Sequence, residues 1–123
     1  MAVSGLGVAY ATAGFVLLYS GWANRGIGYA KAAYRGVTSP PNGIEIVGEI
    51  THSSITGTSV IATLTGAYVP MTGQLVTGAI DSEAGGTSPQ LYIGSSGDLT
   101  LYGLSTDTLI QFHGLISLDA PSA

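Results

Sequence analysis

The chain has 123 residues, a formal net charge of −4 and no cysteine, with 8% charged residues against 46% hydrophobic ones. That length makes one ordinary domain, and the balance excludes disorder, which needs high charge and few apolar residues. The three basic residues, Arg25, Lys31 and Arg35, cannot supply the positive footprint of a nucleic-acid binder, and disulfides and thiolate metal sites are excluded.

Residues 1–24 carry no charge, and about 20 apolar residues are enough to span a bilayer. Their texture argues otherwise. Gly5, Gly7, Gly14 and Gly21 interrupt the run, and Leu6, Val8 and Tyr10 alternate with Gly5, Gly7, Ala9 and Ala11. A period of two is that of a strand with one bulky and one small face, whereas a helix would space its large residues by three and four. Phe15 to Tyr19 is a compact apolar run of buried-strand length, closed by Ser20-Gly21. No basic residue precedes the apolar part, so a signal peptide fits poorly. No membrane insertion is expected.

Further strands follow in order. Ala32 to Val37 precedes "TSPPNG", a turn marked by Pro40-Pro41 and Asn42-Gly43. "IEIVGEI" sets Ile44, Ile46, Gly48 and Ile50 on one face against Glu45, Val47 and Glu49, the alternation of a half-buried strand. "THSSITGTS" reads as a polar connector, Val60 to Leu64 as the next strand and Gly73 to Ile80 as another. "DSEAGGTSP", Asp81 to Pro89, is the most loop-like segment. "QLYIGSSGDLTLYG" reads as a hairpin turning at Gly94 to Gly97, and Thr108 to Leu118 as a closing strand. No segment has sustained helical periodicity. About eight short strands with turn signals between them point to an all-β antiparallel sandwich or barrel, with more than about 40% strand against an ordinary 20–25%.

The polar residues give no catalytic constellation, and no enzyme is expected. His52 and His113 lack acidic or imidazole neighbours at metal-ligand spacing, so His113 is expected to be structural. Glu45 and Glu49 lie about 13 Å apart along one strand face, too far for a glycosidase pair, and are expected on a solvated face. Asp81 and Glu83 share a segment but lack the further oxygen ligands a cation needs. "GSSG" is a turn and not a nucleophile elbow. No metal and no cofactor is expected. Trp22, Tyr29 and Tyr34 have rings able to stack on a sugar, although positions beside strand edges suit core or interface aromatics. So little charge leaves much neutral surface, which self-association would cover.

"GWANRGIGYAKAAYRGVTSPPNGIEIVGEI" resembles a segment of bacteriophage tail-fibre tips and related receptor-binding heads. Gly21, Trp22, Asn24, Gly28, Tyr29, Tyr34, Arg35, Gly43, Ile44 and Gly48 occupy the places of that family's pattern. The resemblance continues through Leu64, Tyr68 and Pro70, the hairpin "LYIGSSGDLTLYG" and the closing "FHGLISLDA", and so runs from about Leu17 to Ala120. Thr65 stands where the family has proline, and Val69 where it has arginine.

The resemblance implies a homotrimeric β-sandwich head on the virion surface that binds a host cell-surface receptor, a saccharide, alongside other virion structural proteins. The expected organisation is an N-terminal arm or first strand at 1–14, the head at 15–120 and a tail at 121–123. That family's fibres carry an N-terminal shaft, and none precedes this stretch, so an excised tip or a self-standing small virion protein is expected. The alternative is a capsid decoration protein anchored by its N-terminal arm, because Ala2 to Ala13 reads like a strand added to another protein's sheet edge. Loops on a rigid sheet tend to carry binding. The expected receptor contacts are therefore Asp81, Glu83 and Thr87 in the long connector, with Trp22 and Tyr29 as the aromatic candidates.

Overall fold

A computed structural model describes residues 10–11, 21–37, 42–82 and 89–121. Among the described residues the fold is all-β, 64% strand, with an antiparallel and nearly closed barrel-like sheet. Its strands are β1 (Ala23–Asn24), β2 (Ala33–Gly36), β3 (Gly43–Thr63), β4 (Gln74–Leu75), β5 (Thr77–Ser82), β6 (Gln90–Ile93) and β7 (Asp98–Ser117). A 3-10 turn spans Gly66–Tyr68, and among the described residues no helix is long and apolar enough to cross a membrane. Glu83, Thr87 and most of residues 1–20 lie outside the described residues. So do the expected strands at Leu6 to Tyr10 and Phe15 to Tyr19, apart from Tyr10 itself.

Two strands, of 21 and 20 residues, organise the sheet. The first part of β3 pairs with the last part of β7, Ile44 opposite Ile116 and Ile50 opposite Ile110. The last part of β3 pairs with the start of β7, Val60 opposite Thr100 and Thr63 opposite Asp98. Register shifts between Thr51 and Ala62 bend the pair, because each extra residue kinks its strand and increases the local twist. The bend lets β7 take β6 along residues 99–102 and β5 along residues 110–115. On the far side of β3 lie β1 and β2, and Ala11 adds a two-bond bridge to Tyr34 on the outer edge of β2.

This corrects the reading of "THSSITGTS" as a connector: it is continuous β3. Ser53, Ser54, Thr56, Gly57 and Thr58 are exposed, so no apolar alternation marks the strand. The same fusion joins the second hairpin strand to Thr108–Ser117 in β7. Among the described residues the strands number seven, and two of them are very long where short ones are expected.

The core lies on the inner face. Ile44, Ile46, Ile50, Ile110, Phe112 and Ile116 from the β3–β7 pair meet Ile61, Leu91, Ile93, Leu99 and Leu101. Each such side chain stabilises the fold by roughly 1.5–3 kcal/mol on burial. Gly48 stands opposite Phe112, and a Cβ there would lie 2.7 Å from Phe112 Cζ and 2.9 Å from the Ala32 Cα. The missing side chain is the space the ring occupies. Trp22 is wholly buried beside this core, and its Nε1–H donates to Ser59 Oγ at 2.9 Å.

The β6–β7 hairpin turns at Gly94 to Gly97. Gly97 N–H donates to Gly94 O, Gly94 N–H to Asp98 O, and Gly97 has φ +93. A tight turn followed by a left-handed residue is a standard three-residue hairpin loop. Glycine is also required at Gly97 because a Cβ would collide with Leu64 O.

Candidate functional site

Along residues 45–49 of β3 and 111–115 of β7 the odd-numbered residues point outward, and the register arranges them in rows across the sheet. Arg35, Glu45, Leu115 and Thr77 form one row; Ala33, Val47, His113 and Ala79 form the next. Glu49, Gln111 and Asp81 form a third, which Arg25 joins by donating its N–H to Glu49 O. Side chains opposite one another on antiparallel strands share a face and interact.

The two glutamates are not a solvated pair. Arg35 Nε donates to Glu45 Oε1 at 2.6 Å, and Arg25 Nη1 to Glu49 Oε1 at 2.9 Å. Their side chains are only 13% and 16% exposed. Neighbouring strands bring opposite charges together at each site, an arrangement invisible from a spacing along one strand. His113, exposed as a side chain, donates from Nε2 to Glu45 Oε2. A side-chain hydrogen bond also joins Tyr10 to Glu45. Burial would raise the Glu45 carboxyl, but the hydrogen bonds from His113, Arg35 and Tyr10, with the Arg35 charge, outweigh it and hold the group below its ordinary value. The Tyr10 hydroxyl is pushed up, first by burial and then by the bond to Glu45 and its charge.

Each arginine also carries a tyrosine. The Arg25 guanidinium lies 3.6 Å from the Tyr29 ring centroid, and that of Arg35 lies 4.3 Å from the Tyr10 ring. Tyr29 sits in an excursion of chain closed on one residue: Arg25 N–H donates to Glu49 O and Glu49 N–H donates to Ala30 O. Within it Tyr29 N–H bonds Gly26 O, and Asn24 Oδ1 accepts from Ala32 N–H. The excursion is held at both stems, so the half-exposed Tyr29 ring is positioned by the sheet and not by a free loop. Two Tyr–Arg–Glu stacks thus stand four residues apart along β3, about 13 Å. Between them the Ala33–Val47 pair forms an apolar floor.

The expected contacts are placed differently from one another. Tyr29 and Asp81 fall on the same outer row, at opposite ends of Arg25–Glu49–Gln111–Asp81. Asp81 lies in β5 and not in a loop, since that strand continues through Ser82. Glu83 and Thr87 lie outside the described residues. Trp22 is corrected: with no exposure, its indole bonded to Ser59 and its ring 4.9 Å from that of His52, it is a core residue and has no face for a ligand. Tyr34 is likewise buried, edge-on to Tyr68 at 4.6 Å. Tyr10, Arg25, Arg35 and Gln111 escaped sequence reasoning as site residues, because each gains its meaning from a partner on another strand.

Among the described residues no group of three or more His, Asp or Glu side chains is placed to hold a metal ion. Comparison with protein-family models, characterised proteins and solved structures gives no match for this chain.

Proposed function

We propose that the chain is a recognition head on the surface of a bacteriophage virion, which assembles as a homotrimer and binds a saccharide of the host cell surface. The observation that carries the reading is the outer face just described: two tyrosines laid on ion-paired arginines, with an apolar floor between them. Aromatic faces and apolar floors suit the C–H faces of sugar rings, and Gln111 and Asp81 offer hydrogen-bonding groups to hydroxyls. The virion setting and the trimer rest on the resemblance to tail-fibre tips. Exposed Val37, Met71, Leu75 and Leu115 on a chain with 8% charge are consistent with self-association.

Light scattering coupled to size exclusion tests the assembly: a trimer has about 37 kDa, three times 12.4 kDa. A stable monomer at micromolar concentration refutes it. Labelling the protein in particles tests the setting. Label at tail tips supports the recognition head; label scattered over heads supports the capsid decoration alternative.

A further inference from the structure

We infer that the saccharide taken by this face is acidic, and that Lys31 binds its carboxylate. The inference rests on the saccharide reading of the outer face and names the class of sugar.

A concavity of about 510 Å3 opens on the outer face, bounded by Tyr10, Ala30, Lys31, Ala33 and Val47. Its volume is within the ~300–1,000 Å3 range of small-ligand sites. Ala33 and Val47 are the cross-strand pair that forms the floor, and Tyr10 and Ala30–Lys31 stand above it. The boundary is almost wholly apolar apart from the Tyr10 hydroxyl and the Lys31 ammonium.

The charges around it do not cancel. Arg35 is committed to Glu45 and Arg25 to Glu49, so both flanking stacks are neutral pairs. Lys31 alone among the three basic residues makes no ion pair with a described residue, and its side chain is exposed. Of the five residues that bound the concavity Lys31 is the one that carries a full charge, in a chain whose overall charge is −4. A neutral sugar would gain nothing from that charge. A sugar bearing a carboxylate sets its ring face on Ala33 and Val47 and its anionic group on the Lys31 ammonium.

The test uses two sugars that differ only at one carbon, methyl β-D-glucuronide and methyl β-D-glucoside, each titrated into the 15N-labelled full chain and followed by NMR. The glucuronide is expected to shift the amides of Lys31, Ala33 and Val47. The glucoside is expected to act at the same amides about fivefold more weakly, the scale of one exposed ion pair. The preference should shrink as salt is added. Lys31→Gln, an exposed change that leaves the sheet intact, should remove it, and Lys31→Arg should keep it. Equal binding of the two sugars at these amides, or a preference that survives in Lys31→Gln, overturns the acidic-sugar inference alone. Absence of any shift at this face with either sugar overturns the saccharide reading along with it.

Discussion

The Arg25 guanidinium lies 3.6 Å from the Tyr29 ring centroid while its Nη1 donates to Glu49 at 2.9 Å. One side chain thus fixes the ring above the sheet and neutralises the carboxylate beneath it. Arg25→Gln removes both contacts. Each is worth roughly 0.5–1 kcal/mol at a partly exposed position, so urea unfolding should show a small loss. A loss above about 2 kcal/mol would mean that Arg25 belongs to the core's energetics and not to the surface stack.

Trp22 and Ser59 couple two distant stretches of the chain through one buried hydrogen bond. Ser59→Ala leaves the indole N–H unpaired away from water and should cost about 1–3 kcal/mol. Trp22→Phe removes the donor, so the double variant should lose less than the sum of the single losses. Additive losses in urea unfolding would contradict the bond.

Acid should weaken the fold through Glu45. Its folded carboxyl lies below the ordinary value: burial raises it, and the bonds from His113, Arg35 and Tyr10 prevail. A depressed carboxyl contributes stability that is complete above its unfolded value and lost as pH falls through the folded one. The urea midpoint should therefore fall in the range below the ordinary carboxyl value of 4.5, and Glu45→Gln should flatten that part of the profile. An unchanged acid limb in Glu45→Gln would assign it elsewhere.

Gly48→Ala should be destabilising by about 1–3 kcal/mol, because its Cβ would press on Phe112 and Ala32 in a packed core. Gly94→Ala meets nothing nearer than Ser96 Oγ at 3.9 Å and should stay within about 0.5 kcal/mol. Thermal or urea unfolding of the pair of variants distinguishes crowding from a general intolerance of glycine replacement.

The inner face was legible in the sequence wherever a strand buries one side. Ile44, Ile46 and Ile50 announce it by a period of two, and the glycines at 94 and 97 announce the hairpin. Residues 53–58 were not legible, because a strand largely exposed on both faces has no apolar alternation to read. Tyr29 and Asp81 could be nominated from residue type, but their placement at opposite ends of one row depends on the pairing of β3, β5 and β7. Trp22 misled for a related reason: the same ring serves a core or a sugar, and only its burial and its bond to Ser59 decide.

The central claim is that the outer face between the two Tyr–Arg–Glu stacks is the recognition surface. Its most direct measurement is host-cell binding by the double variant Tyr10→Ala/Tyr29→Ala, compared with the parent at equal assembly state and with folding checked by circular dichroism. Loss of binding by at least about tenfold is expected, since truncating the aromatic anchors of an interface removes much of its energy. A folded double variant that binds host cells as tightly as the parent would contradict the account.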